Sequence, residues 1–423
     1  MRILIANVYS YKNKGDAAIV ISLLREVQRV FPGADIMVQT ADALHDEGKY
    51  DAPITHSLLW TLLSRVRAQP MPLRLWVLLR GLLGLYVYTG LHRVVGRAPL
   101  FIVPRTLRAF VQENQQADLV IACGGGYLRT QSSSLEDWLL LKVTCLNFLA
   151  AKYLGKPVFL YSQSIGPVHG ESQIRMLRRA LNKVDLIEPR EDVSVKFLQS
   201  LNLTTPIVPT ADPALLLGGT GRFPSEVAEL HKGRLHVGLT VRKWFKTEQA
   251  LQDYIEAVAQ TLDYLIKQYN AEIFYIPQVI AENFGDDDRV IARRVWDNVR
   301  NQSRFTVIEA DLHPFEMIGF CSRLDMFIGT RMHSNIFALV NHVPVVAIEY
   351  EHKTRGIMRG LGLEPLTIDI RDVTFASLRQ CVDALLQDRT PYQNLIKQNL
   401  PAQIMESRKA MEVIKEVYEA KTI

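Results

Sequence analysis

Short apolar runs rich in Val and Ile recur along the chain, separated by longer stretches of helical period. This is the pattern of parallel strands joined by helices. In the first half "RILIANV", "ADIMVQT", "DLVIACG", "PVFLYSQSI", "VDLIEPR" and "PIVPTAD" read as strands; in the second half "LHVGLTVR", "AEIFYIPQV", "FTVIEAD", "LDMFIGT" and "VPVVAIEY" do. Between the two sets, in "ALLLGGTGRFPSE" at residues 214–226, Gly and Pro concentrate and the periodicity lapses. The predicted fold is α/β, with two Rossmann-like domains facing each other across a cleft. The N-terminal domain is expected over 1–213, the C-terminal domain over 214–400, and an amphipathic terminal helix over 401–423. A chain of 423 residues is also long for one hydrophobic core.

Residues 58–91 break the alternation. Their run "PLRLWVLLRGLLGLYVYTGL" approaches the roughly 20 residues of a membrane span, but Arg74, Arg80 and several Gly make it a poor one. From Ala52 to Gln112 there is no Asp or Glu but eight Arg, and removing those eight from the formal charge of +5 leaves the remainder at −3. This basic, apolar helical insert over about 52–112 admits two readings. Residues 58–97 form either a helix pair lying on an anionic membrane surface, or a helical hairpin packed on its own domain. Because the Arg residues are interleaved with Leu and Tyr and no reading motif is present, no nucleic-acid partner is expected.

The remaining composition narrows the class. With 48% hydrophobic and 22% charged residues the chain is globular and not disordered. Cys123, Cys145, Cys321 and Cys381 are too scattered for a CxxC metal site and suit a reducing compartment. "MRILIANVYSYKNKGD" has no secretory pattern, so a cytoplasmic location is expected, with a peripheral position on the inner membrane face if the insert binds lipid.

Small and polar residues gather where strands are expected to end, which is where open parallel sheets bind ligands. In "NKGDAAI" Asn13 and Gly15 form a turn, and Asp16 opens a helix either as an N-cap or as a ligand-facing acid. The three glycines of "CGGGYL", Gly124, Gly125 and Gly126, let backbone N–H groups approach an anion or a sugar oxygen, although the stretch is neither a P-loop nor GxGxxG. Gln163 and Ser164 in "SQSIGPV" are suited to hydroxyl partners, and Arg190 in "EPRED" and Arg242 in "TVRKW" lie at further strand ends. In "GTRMHSNIFAL" Arg331 and His333 occupy a strand-to-helix junction, whose free N–H groups and dipole attract anions. Ser334 follows them, and "VPVVAIEYEHKTRGIM" adds Glu349 and Lys353 at one more strand end. No His and Asp pair has metal-ligand spacing and no GxSxG elbow is present, so no metal is expected.

In this order "NKGDAAI", "GGGYL", "SQSIGP", "EPREDVSVKFL", "ADPALLL", "GTRMHSNIFAL" and "PVVAIEYEHKTRGIM" resemble the polysaccharide pyruvyl transferase family, from about Arg2 to Gly362. The insert and the tail lie outside these motifs. The resemblance implies a glycosyltransferase-B-type fold and transfer of a pyruvyl group from phosphoenolpyruvate to two hydroxyls of a sugar, or of its lipid-linked precursor, as a ketal. Phosphoenolpyruvate would be the donor substrate, with no cofactor. It further implies that Arg242 and Arg331 hold the donor and that His333 is the acid. Asp16 or Glu349 is then expected to orient the acceptor hydroxyls.

Two rivals remain at this stage. A nucleotide-sugar glycosyltransferase shares the fold, since fold does not fix reaction. Such enzymes often carry two Glu eight residues apart, but Ile357 stands at that offset from Glu349. The other rival is a non-catalytic, membrane-associated relative.

Overall fold

The apolar runs form strands, and several of them, Leu119–Ala122, Val158–Gln163, Ala271–Tyr275, Met326–Gly329 and Val345–Glu349, are buried along their whole length, as strands covered by helices on both faces must be. A computed structural model describes residues 1–63, 70–219, 221, 223, 229–282 and 285–422. In the first half these are β1 (Arg2–Val8), β2 (Asp35–Thr40), β3 (Ile54–His56), β4 (Leu119–Ala122), β5 (Val158–Gln163) and β6 (Leu186–Pro189). The second half contributes β7 (Leu235–Thr240), β8 (Ala271–Tyr275), a small hairpin of β9 (Ile280–Ala281) and β10 (Asp286–Asp287), β11 (Phe305–Val307), β12 (Met326–Gly329), β13 (Val345–Glu349) and β14 (Thr367–Asp369).

The two main sheets repeat one topology. The first has the order β3-β2-β1-β4-β5-β6 and the second β11-β8-β7-β12-β13-β14, with every neighbouring pair parallel. In each, the chain winds outward from a central strand and then returns to its other side. The reversal point lies between β1 and β4 in one sheet and between β7 and β12 in the other, and doubly wound sheets bind ligands at that point.

The chain divides into two units. One comprises Met1–Tyr11, Ile19–Asp212 and Glu406–Ile423, the other Lys12–Ala18 and Pro213–Met405. Two departures from the expected boundaries matter. Lys12–Ala18, expected with the N-terminal domain, belongs to the second unit: Lys14 N donates to the carbonyl of Gln278, and Ile280 N donates to that of Lys12, both at 2.9 Å. The terminal helix also begins earlier than expected, at Thr390, and its last part from Glu406 belongs to the first unit.

Within the first unit, "PIVPTAD" is not a strand. Only Ile207 bridges to Ile187, because Pro206 and Pro209 on either side have no N–H to give a ladder. The basic insert is largely helical, with helices Leu58–Leu63, Met71–Val95 and Arg108–Gln116, but its first residues form β3. Its buried side chains, among them Leu62, Leu85, Tyr88 and Phe110, pack on Leu146, Ala150 and Leu154 of the helix Leu135–Tyr153.

Candidate functional site

At the reversal point of the second sheet, the register pairs Thr240 of β7 with Gly329 of β12. Arg242 and Arg331 therefore each stand two residues beyond the ends of adjacent parallel strands. Arg331 precedes the helix Met332–Leu339, so His333 lies in that helix's first turn, where free N–H groups gather.

The two arginines are in different electrostatic states. Arg331 is buried, its Nε and Nη2 donating to Asp288 Oδ1 at 3.2 and 2.6 Å and its Nη2 also to Asp286 at 2.7 Å. The other Asp288 oxygen accepts from the backbone N–H groups of Gln278 and Val279. Burial pushes the Asp288 carboxyl up, and Arg331 pulls it back. Burial likewise opposes the charge on Arg331, but Asp288 beside it raises the guanidinium above its usual range. Four N–H donors on the Asp288 carboxylate favour its charged form and so oppose the upward push of burial. Arg242 instead lies over the ring of Tyr350, 4.6 Å from its centroid, with no carboxylate partner among the described residues. The Tyr350 phenol also interacts electrostatically with Arg331, so these three side chains form one neighbourhood.

The segment "NKGDAAI" joins this neighbourhood through a close approach. A Cβ on Gly15 would fall inside the imidazole of His333 and 2.9 Å from its Cβ, so only glycine lets the backbone pass here. Asn13, not Asp16, caps the helix Lys14–Val30: its Oδ1 accepts from the N–H of Gly15 at 3.1 Å and of Asp16 at 3.4 Å. Asn13 Nδ2 donates to Asp16 at 2.8 Å, fixing that carboxylate one helical turn away. Lys14, between them, is fully buried and ion-paired with Asp311 at 2.5 Å. A buried lysine requires such a partner. Nothing in the sequence marks Asp286, Asp288 and Asp311: the first two lie in the acidic run "GDDDRV", and the third ends the strand-like run "FTVIEAD".

Other expected site residues are committed to the protein itself. Ser334 is buried, its hydroxyl donating to the carbonyl of Arg331 at 2.6 Å and sharing a hydrogen bond with Thr240 at 2.8 Å, which ties the helix to β7 instead of meeting a ligand. Glu349 is buried and its Oε1 pairs with Arg355 at 2.6 Å, while its Oε2 has no hydrogen-bond partner among the described residues. Lys353 pairs with Glu351 at 3.4 Å.

In the first unit, Arg190 is buried, ion-paired with Asp212 at 2.9 Å, and donates to Ser164 Oγ at 2.9 Å and to the carbonyl of Gly125. Ser164 in turn donates to Glu191 at 2.9 Å. Gln163 is fully buried and donates to the carbonyls of Ala122 and Tyr161. Arg190, Ser164 and Gln163 thus brace the ends of β4, β5 and β6 instead of presenting themselves outward. Gly124, at φ +150°, and Gly126, at φ +155°, turn the chain beyond β4 at the reversal point of that sheet.

A groove of about 680 Å³ in the second unit is lined by Lys243, Asp286, Asp288, Arg289 and Arg294 among others. It shares the two aspartates with the Arg331 pair, but its described lining includes neither Arg242 nor His333. The strand-end cluster itself is therefore the candidate site, on grounds of topology and chemistry and not of cavity size. It offers one guanidinium without a carboxylate, a helix N-terminus and an imidazole, a set suited to a small polyanion.

Solved structures of UDP-N-acetylglucosamine 2-epimerases share this architecture. One aligns with TM-score 0.60 at 12% identity, covering 99% of this chain and 96% of its own. That from Neisseria meningitidis, bound to UDP-GlcNAc, aligns with TM-score 0.56 at 11% identity over 98% and 99%. At such identities the likeness shows the fold alone: two Rossmann-like units in series, of glycosyltransferase-B type. The sequence profile of polysaccharide pyruvyl transferases matches residues 13–352, from the Asn13 cap through β13, and the chain belongs to that family of transferases. The amylovoran biosynthesis protein AmsJ of Erwinia amylovora is 23% identical over 409 residues, 92% of each chain.

Proposed function

We propose that the protein transfers the pyruvyl group of phosphoenolpyruvate to two hydroxyls of a saccharide, in a cell-surface polysaccharide or its lipid-linked precursor, forming a ketal and releasing phosphate. Family membership supports pyruvyl transfer in polysaccharide synthesis. The observation that carries the finer reading is the meeting of Arg242, Arg331 and His333 at the reversal point, with His333 packed over Gly15.

In this reading Arg242 and the first N–H groups of the helix Met332–Leu339 take the negative charges of the donor. Arg331, neutralised by Asp288 and Asp286, is a positioning residue that holds the strand-helix junction in place. His333 gives a proton to the methylene carbon of phosphoenolpyruvate, and the adjacent carbon, left electron-poor, is attacked by one acceptor hydroxyl. The phosphate then departs as the second hydroxyl closes the ring. Of the two hydroxyl protons, one restores His333 and one leaves with phosphate. A positioned acid is worth roughly 10² to 10⁴ in rate. Asp16, held by Asn13, or Glu349, paired with Arg355 through one carboxyl oxygen, orients the acceptor hydroxyls.

The test is incubation with phosphoenolpyruvate and candidate saccharides. Phosphate release that requires both, with a pyruvyl ketal on the sugar, is the expected result. Release of a nucleoside diphosphate from a nucleotide sugar, with phosphoenolpyruvate left intact, would favour the glycosyltransferase reading.

A further inference from the structure

The helix Met71–Val95 is apolar on two faces. One stripe, containing Leu85 and Tyr88, belongs to the buried cluster that includes Leu146, Ala150 and Leu154. Gly84 brings the helix close on that side: a Cβ there would lie 2.9 Å from Pro104 Cδ and 3.1 Å from the carbonyl oxygen of Ile102. The other stripe, Trp76, Leu79, Leu83, Val87, Leu91 and Val94, recurs at three- and four-residue spacing and is exposed, Leu83 by 65% and Val94 by 84%. A helix at a water-facing surface carries polar residues on such a stripe. The apolar surface continues onto Leu135, Leu139 and Leu140 of the neighbouring helix, and Lys142 Nζ joins the two by lying over the rings of Tyr86 at 5.7 Å and Trp138 at 5.9 Å. Contiguous apolar patches of this kind mark interaction surfaces.

Charge decides what covers it. Residues 52–112 contain no Asp or Glu, and Arg80, Arg93 and Arg97 are exposed with no carboxylate partner among the described residues. One groove adjoins the helix's C-terminal end and shares Tyr153 and Lys183 with a second. The first, of about 610 Å³, is lined also by His92, Arg93 and Lys152; the second, of about 360 Å³, also by Lys142, Arg175 and Arg179. Neither has a carboxylate among its described lining residues; Lys152 is paired with Asp185 and Arg175 with Glu171, while Arg93 and Arg179 have no carboxylate partner among the described residues. A second copy of the chain would set this basic surface against itself, which like charges oppose. An anionic bilayer offers both an apolar interior and phosphates. Among the described residues no helix is long and apolar enough to cross a membrane, so the contact is interfacial.

We propose that this surface docks on an anionic phospholipid bilayer, the exposed stripe of Met71–Val95 entering the headgroup boundary and the basic grooves taking lipid phosphates. The two sequence-level readings of the insert thereby combine: the helix packs on its own unit with one face and presents the other to lipid.

The full-length protein is tested by co-sedimentation with vesicles of phosphatidylcholine alone or mixed with phosphatidylglycerol. Binding to the mixed vesicles is expected to exceed binding to the neutral ones by more than about tenfold. With each surface arginine worth about fivefold, Arg93→Gln with Arg97→Gln should cost roughly 25-fold on mixed vesicles only. The triple variant Leu79→Ser, Leu83→Ser, Val87→Ser should lose binding to both, with an unchanged melting temperature because those side chains are already exposed. If it melts early, the arginine pair still decides. Wild-type protein that ignores phosphatidylglycerol vesicles, variants that bind like wild type, or a solution dimer that the serine variant splits while no vesicle is bound would each overturn the proposal.

Discussion

Both halves of the chain bury an arginine just past the end of a parallel strand and pair it with a buried aspartate: Arg190 with Asp212 at 2.9 Å, Arg331 with Asp288 at 2.6 Å. Their settings differ. Arg190 follows the edge strand β6, and its other donors go to Gly125 and Ser164, so every direction it serves is internal. Arg331 follows β12 at the reversal point, with His333 two residues on and Arg242 beyond the neighbouring strand. An arginine at a strand end is thus no ligand contact in itself. Of the two strand-end arginines at the second sheet's reversal point, Arg242 is the one with no carboxylate partner among the described residues, which is why the proposed site is placed there.

The largest expected effect comes from breaking both pairs in the same way. Asp212→Ala and Asp288→Ala each remove the buried carboxylate nearest a buried guanidinium, leaving Glu191 at 3.5 Å from Arg190 and the more exposed Asp286 at 2.7 Å from Arg331, and each should cost up to about 3–5 kcal/mol in denaturant unfolding. A loss in one and none in the other would break the likeness between the two scaffolds. Next, Arg242→Ala should weaken phosphoenolpyruvate binding by about 1.5–3 kcal/mol, the worth of a charge-assisted hydrogen bond, while leaving the melting curve unchanged. Calorimetric titration and a thermal melt check the two halves of that statement, and Arg190→Ala should behave in the opposite way. Gly15→Ala forces a Cβ into the His333 ring and should cost about 1–3 kcal/mol of overpacking, read as lost stability or lost turnover.

An effect of comparable size, read only as a slope with pH, lies in the first unit. Glu188 is fully buried, and among the described residues neither of its carboxyl oxygens has a hydrogen-bond partner; burial holds it well above its ordinary value of 4.5. Below that value the group is protonated folded or unfolded and adds no pH dependence. Above it the unfolded chain releases the proton and the folded chain keeps it, so stability falls as pH rises, by about 1.4 kcal/mol per unit until the folded group also ionises. Glu188→Gln should remove that slope between pH 5 and 7 in denaturant melts.

Much of this was legible in the sequence, for reasons that also mark the limits. Long Val- and Ile-rich runs gave β1, β5, β7 and β13 away, because a strand buried on both faces has few polar positions to disguise it. β3 and β14, three residues each, fall below any periodicity. "PIVPTAD" had the right apolar residues and the wrong backbone chemistry. At the candidate site, the strand-to-helix junction revealed Arg331 and His333 by being locally odd. Ser334 shares that junction but is turned inward to Thr240, and a side chain's direction is not written in a motif. Lys14 with Asp311, and Gly15 with His333, are pairs some 300 residues apart in sequence, and one sequence alone holds no record of them.

The central claim is that His333 delivers the proton that starts pyruvyl transfer. It is tested most directly by the rate of acceptor-dependent phosphate release from phosphoenolpyruvate in His333→Gln, on protein whose melt matches wild type. The account expects a loss of about a hundredfold or more. A variant that keeps its rate within a few-fold of wild type would contradict it.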